Sequence, residues 1–352
     1  MKIAQVAPLH ESVPPRLYGG TERVVSYLTE ELVALGHEVT LFASGDSETA
    51  AELVPACERA LRLDPTCADP IAAHVLLLER VFRQVERFDV VHFHSDYMHF
   101  PLTRRSGIPS VTTLHGRLDI PSLAPLYREF ADLPLVSISN AQRRPIPWAG
   151  WRATVYHGLP ESIASLHEGP GDYLAVLGRV SPEKGVDRAI EIARLAGFPL
   201  RIAAKVDRSD QEYFEQVIRP LLDEPGIEFL GEIGEDQKEE FLGGARALLF
   251  PIDWPEPFGL VMIEAMACGT PVIAFRRGSV PEVLDDGVSG YVTTNVAEAV
   301  DAVGRLDRID RRAVRRVFEE RFSSRRMARD YVQVYAGLTR EPKPREAYAT
   351  EY

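Results

Sequence analysis

One rhythm of short and long segments runs twice along this chain, and few folds accommodate it. Short apolar runs alternate with longer stretches of helical periodicity. The pattern pauses over a Gly-, Pro-, Ser- and His-containing segment, 157–172, and then restarts. Runs rich in Val, Ile and Leu, without polar alternation, read as strands buried on both faces, which implies parallel sheets covered by helices. The strands predicted in the first half are 3–7, 38–43, 90–94, 110–114, 135–139 and 153–156, with helices such as 21–35 and 74–85 between them. The second half predicts strands 173–177, 200–204, 227–230, 247–250 and 272–275, and helices 186–195, 213–222, 237–242 and 259–267. A chain of 352 residues exceeds what one hydrophobic core serves. The expected fold is therefore α/β, with two Rossmann-like doubly wound domains over 1–160 and 161–321. Met327, Tyr331, Val334, Tyr335 and Leu338 fall at helical spacing and predict a helix over 322–340, followed by a frayed tail, 341–352.

Composition excludes some functions. A net charge of -12 argues against non-specific nucleic-acid binding, which needs a cationic surface. The cysteines, Cys57, Cys67 and Cys268, fit no zinc spacing and point to a reduced, cytoplasmic compartment. Proximity alone leaves a Cys57–Cys67 bridge open. The N-terminal residues run straight into a strand pattern without the apolar stretch of a signal peptide. No run approaches the ~20 apolar residues of a membrane helix. Peripheral membrane contact and oligomeric state are left open.

Doubly wound domains bind ligands beyond the C-terminal ends of their strands, so the segments after strands carry the chemistry. After the first strand comes Gly19-Gly20-Thr21, at the start of a helix. Paired glycines let backbone N–H groups approach an anion closely. The plain alternative is a loop with Thr21 as the helix cap. The segment is not G-x-G-x-x-G, so the dinucleotide fingerprint is missing. After strand 173–177 comes Gly178-Arg179-Val180-Ser181-Pro182-Glu183-Lys184-Gly185. Arg179 and Lys184 at one helix mouth suit a diphosphate, unless they are ordinary solvated charges. Further on, Glu256 and Glu264 bracket Gly259 and the start of an apolar helix. Ionised carboxylates accept hydrogen bonds only, which suits sugar hydroxyls. Glu264 sits amid Ile263, Ala265 and Met266, and an acid so placed needs a specific partner. His115, after strand 110–114, is placed to donate to a sugar hydroxyl or a developing charge, with a satisfied structural histidine as the rival. His92, His94 and His99 suggest a metal cluster at first sight. This one segment does not assemble the ligand set of an open metal site, and residues lining a cleft explain it as well. No metal is expected.

Together these residues resemble glycosyltransferase family 4, the retaining enzymes of the GT-B architecture, over nearly the whole chain. Gly269-Thr270-Pro271-Val272, Pro281-Glu282-Val283 and Gly287…Gly290 also match. The resemblance implies two Rossmann-like domains facing a central cleft, with the C-terminal helix crossing back to the first. It implies a nucleotide-sugar donor as partner and no cofactor. Arg179 and Lys184, beside Gly178, resemble the residues that hold the donor diphosphate, and the Gly19-Gly20 turn would add a backbone N–H from Gly20. Glu264 is similar to the acid that binds the ribose. Glu256 is similar to the acid that binds the transferred sugar, with Phe258, Gly259 and Leu260 adding backbone contacts. His115 looks like the histidine beside the sugar ring, and 229–233, centred on Gly231, would meet the base. Trp254 departs from the family pattern and would shape the donor pocket or stack on a sugar.

The resemblance implies transfer of a hexosyl unit from a nucleotide diphosphate sugar, UDP favoured and GDP second, to a hydroxyl on a sugar, lipid-linked glycan or small molecule. Segments 46–69 and 117–127 would bind that acceptor. A glycoside hydrolase also uses paired carboxylates but needs no diphosphate loop. A sugar-nucleotide sensor or scaffold without turnover is the rival from another class. An epimerase would be expected to differ at Glu256 and Glu264.

Overall fold

A computed structural model describes residues 1–16 and 19–340, and the structural statements and counts that follow are of those residues. The tail expected at 341–352 lies outside them. The chain divides into two compact units, one formed by Met1–Gly158 with the segment that begins at Ser324, the other by Leu159–Ser323.

The first unit holds strands β1 (Lys2–Val6), β2 (Glu38–Ser44), β3 (Glu52–Cys57), β4 (Val90–Phe93), β5 (Ser110–Thr113), β6 (Leu135–Ser137) and β7 (Trp151–Thr154). They form a parallel sheet in the order β3-β2-β1-β4-β5-β6-β7. The central strands are buried nearly throughout, as a sheet covered on both faces requires. Strand β3 carries Pro55, which masks it in the sequence. It lies at the sheet edge, pairing with β2 alone, where a missing N–H is tolerated. The helix Gly20–Ala34 is opened by Gly19 without a side-chain cap, so Thr21 lies inside the helix and does not cap it. The helix Pro70–Phe82 starts earlier than its apolar period suggests, because Asp69 accepts from the N–H groups of Ile71 and Ala72 and Pro70 opens the first turn. The helix Ser324–Arg340 belongs to this unit. It buries Met327, Ala328, Tyr331, Tyr335 and Leu338 and packs against the helix Gly20–Ala34 and β4.

The second unit holds β8 (Tyr173–Arg179), β9 (Leu200–Lys205), β10 (Ile227–Gly231), β11 (Ala245–Phe250), β12 (Val272–Phe275) and β13 (Gly290–Thr293). Their order is β10-β9-β8-β11-β12-β13, again parallel. In both sheets the strand order reverses beside the first strand, between β1 and β4 and between β8 and β11. Such switch points open a crevice beyond the strand ends. The helix predicted over 213–222 is broken. A short α-turn, Gln211–Tyr213, passes into a π-turn, Phe214–Ile218, and a 3-10 turn, Arg219–Leu221. Pro220 removes a backbone donor there and forces the change. The helix Arg311–Arg321 shows only a narrow apolar stripe, Val314, Val317 and Phe318, among charged residues, and does not stand out in the sequence. All three cysteines are free thiols, so no Cys57–Cys67 bridge forms. No helix among the described residues is long and apolar enough to cross a membrane.

Candidate active site

The second unit brings its charged residues together at the switch point between β8 and β11. Strand β8 ends on Gly178 and Arg179, and the loop after it ends at Gly185, which caps the helix Val186–Ala196 with φ 71°. A Cβ on Gly185 would stand 2.4 Å from the Pro251 carbonyl, so only glycine lets the two loops meet. The contact is tied by the Asp253 N–H donating to the Glu183 carbonyl at 2.8 Å and by Arg188 Nε donating to the Pro251 carbonyl at 2.9 Å.

That close approach places Lys184 Nζ 2.6 Å from Glu256 Oε2. Trp254 Nε1 donates to the same oxygen at 3.0 Å. The Lys184 ammonium also lies over the Trp254 and Phe250 rings, 5.0 and 5.6 Å from their centroids. Trp254 thus engages both members of the ion pair. Glu256 is itself buried and is held from below by residues 278–279. Its carbonyl accepts from the Ser279 N–H at 2.9 Å, and a Cβ on Gly278 would fall 2.2 Å from that carbonyl. Arg179 Nη1 lies 3.2 Å from Asp207 Oδ2, while Lys205 Nζ lies 3.1 Å from Asp207 Oδ1. Burial works against the Asp207 carboxylate, but hydrogen bonds from Lys205 and Arg179 bring it below the usual carboxylate range. Arg179 at the end of β8 and Lys184 on the loop that follows therefore each meet an acid.

Gly259 opens the helix Leu260–Ala267 at φ 80°. Phe258 is buried beside it, and its carbonyl accepts from Ser279 Oγ at 2.8 Å. Glu264, in the second turn, does have a specific partner: Lys238 Nζ lies 2.9 Å from Glu264 Oε1 and 3.0 Å from Glu235 Oε2. Lys238 carries no local sequence signal, since it sits on another helix, Glu235–Gly243, 26 residues away. Gly231 ends β10 with φ 74°.

In the first unit, Gly19 and Gly20 follow β1. A Cβ on Gly19 would stand 2.8 Å from Pro15 Cβ, which explains the glycine by packing. His115 follows β5. Its Nε2 lies 2.9 Å from His94 Nδ1, and its ring stacks on that of His157 at 5.3 Å. Burial pushes the His115 imidazole down to about 3. His92 and His94 share one face of β4, with ring centroids 3.9 Å apart. Both nitrogens of each are already engaged, by Tyr335 and Thr113 for His92 and by His115 and Gln5 for His94. His99 is likewise held, between Thr103 and Thr112. Among the described residues no group of three His, Cys, Asp or Glu is arranged to hold a metal ion.

Two family descriptions match successive parts of the chain: Glycosyltransferase Family 4 over residues 18–158, and Glycosyl transferases group 1 over 161–315. The N-acetyl-alpha-D-glucosaminyl L-malate synthase of Bacillus anthracis is 26% identical, over 92% of this chain and 96% of its own. The D-inositol 3-phosphate glycosyltransferase of Mycolicibacterium smegmatis is 28% identical, over 82% and 79%. Among solved structures, AviGT4, a glycosyltransferase involved in avilamycin A biosynthesis, superposes with a TM-score of 0.74 at 27% identity, over 96% of this chain and 98% of its own. Anabaena HepE in complex with UDP and glucose shares the fold at a TM-score of 0.74 and 18% identity, over 96% and 100%.

Proposed function

Because this chain is a glycosyltransferase of the GT-B architecture, family 4 in its first half and group 1 in its second, we propose that it moves a hexosyl unit from a nucleotide diphosphate sugar to an acceptor hydroxyl with the anomeric configuration retained. The observation that carries this reading is the pairing of two buried carboxylates with two lysines on one unit, Glu256 with Lys184 and Glu264 with Lys238. Both acids are fixed and accept hydrogen bonds only. We assign Glu256 to hydroxyls of the transferred sugar and Glu264 to those of the ribose. Since Lys184 and Trp254 both engage Oε2 of Glu256, its Oε1 is the oxygen assigned to the sugar.

The leaving group is a diphosphate, so negative charge grows as the anomeric C–O bond breaks. Arg179, Lys184 and the N–H groups that open the helix Val186–Ala196 meet that charge. Lys184 retains donors for phosphate while it holds Glu256. Preorganised donors of this kind lower a barrier without reorganising at the moment of reaction. The sugar passes through an oxocarbenium-like state on one face, and no protein nucleophile is assigned. Phe258, Gly259 and Leu260 contribute backbone contacts to the sugar, and 229–233 with Gly231 meet the base. On the first unit, His115 is assigned to the transferred sugar and Gly20 to the diphosphate. UDP is the favoured nucleotide, as in the HepE complex, and GDP the second. The cations of the protein do the electrostatic work, so addition of EDTA is expected to leave the rate unchanged.

The test is incubation with a panel of nucleotide sugars, following nucleotide release and donor affinity. Lys184→Ala and Glu256→Ala are each expected to lose transfer while thermal unfolding shows the fold intact. A fully active Lys184→Ala removes the diphosphate role. Donor binding that no acceptor converts into nucleotide release favours a sensor without turnover.

A further inference from the structure

Two buried histidines of the first unit, His92 and His94, belong to one hydrogen-bonded file that ends at His115. From His115 Nε2 it passes to His94 Nδ1 at 2.9 Å, and from His94 Nε2 to Gln5 Oε1 at 2.8 Å. Gln5 Nε2 donates to the Tyr335 hydroxyl at 3.0 Å, which lies 2.7 Å from His92 Nδ1. His92 Nε2 continues to Thr113 Oγ1 at 2.7 Å, and Thr113 Oγ1 to the Tyr331 hydroxyl at 2.8 Å. Gln5 and His92 are register partners on neighbouring strands, and the two tyrosines come from the helix Ser324–Arg340. Gln5, His92, Thr113 and Tyr335 have no measurable exposure, and His94 and Tyr331 almost none.

Such a file must have a direction, because each neutral imidazole has one N–H and one bare nitrogen. Burial keeps these rings neutral, holding His92 and His94 well below the usual histidine range. The Gln5 amide sets the sense. Its NH2 faces Tyr335 and its carbonyl faces His94, so His94 Nε2 carries the proton and its Nδ1 accepts. His115 must then donate from Nε2, which leaves its Nδ1 bare. That Nδ1 is buried and has no hydrogen-bond partner among the described residues. The opposite sense would leave a ring N–H fixed there without an acceptor, whereas at the far end the Tyr331 hydroxyl proton is free to rotate.

We propose that His94, Gln5 and Tyr335 are positioning residues that fix His115 as its Nε2–H tautomer, so that His115 meets the transferred sugar as a hydrogen-bond acceptor from a hydroxyl. The proposal rests on the reading of His115 as a residue beside that sugar. It reverses the donor role that the sequence alone suggests for His115. It also gives the C-terminal helix a part in the chemistry through Tyr335, and it accounts for His92 and His94 without a metal.

The test is nitrogen NMR of the full-length protein labelled with 15N-histidine, with the His115 signals assigned by their loss in His115→Asn. The expected result is a protonated Nε2 and an unprotonated Nδ1 on His115. Tyr335→Phe, which keeps the ring and its packing, is expected to turn this into a mixture of tautomers. His94→Ala is expected to lower kcat about tenfold with donor KM little changed, the scale of one hydrogen bond. His94→Asn, which can place an amide oxygen where Nδ1 stood, is expected to recover part of that loss. A protonated Nδ1 on His115 in the unaltered protein overturns the proposal, and so does a Tyr335→Phe variant with an unchanged tautomer. If the NMR result is as expected but no donor is turned over, the tautomer assignment stands and the transferase reading of His115 falls.

Discussion

Glu22 lies in the first turn of the helix Gly20–Ala34, and desolvation by burial raises its carboxyl to about 7, with Glu11 adding repulsion. The folded protein therefore keeps a proton that the unfolded chain releases near 4.5. Stability is lost as pH rises through that window, by up to roughly 3 kcal/mol. Glu22→Gln is expected to raise the unfolding midpoint at pH 8 and to change it little at pH 5. An equal gain at both pH values would mean that ionisation is not the cause. His99 has the opposite sign. Burial pushes it down to about 3 from 6.5, so stability falls as pH drops through that range, and acid unfolding should begin below pH 6.5. Trp254 makes the third residue-scale case. Trp254→Phe keeps the ring beside Lys184 but removes the N–H on Glu256, and transfer is expected to fall about tenfold with the fold unchanged. The sequence marks Trp254 as unusual. Only the contact with Glu256 and Lys184 says what it does.

Among the elements, the helix Arg311–Arg321 is secured by its first residue. The buried Arg311 guanidinium donates to the carbonyls of Ala245 and Gly243, each at 2.8 Å, and to Thr270 Oγ1 at 2.5 Å. These bonds join the helix to the start of β11 and to the turn before β12. Arg311→Met is expected to destabilise the second unit by about 1–3 kcal/mol, read from denaturant midpoints, because buried carbonyls lose their donor. An unchanged midpoint would show that water replaces the guanidinium. Strand and helix positions near the site were legible wherever an apolar period ran uninterrupted, as in Val272–Phe275. They were hidden where a breaker or a charged face covered the period, as with Pro55 in β3, Pro220 in the π-turn segment and the arginines of 311–321.

On the scale of the whole molecule, the second unit is continuous in sequence and the first is not. A fragment 159–323 is expected to unfold cooperatively on its own by calorimetry. A chain ended at 323 is expected to leave the first unit unstable, because it would strip Tyr331 and Tyr335 from a fully buried file. Cooperative melting of the first unit in that truncation would show that the last helix is dispensable to it. The two α/β units and the glycines that follow strands were legible in the chain alone, because strand and helix periods and turn chemistry are local properties. Tertiary structure decided the partners. Lys184 and Glu256 meet across 72 residues, and Gln5 and Tyr335 across 330. No period encodes such a pairing. It follows from strand order, which brings distant loops to one end of a sheet, and from burial, which leaves each polar group there with few atoms it can reach.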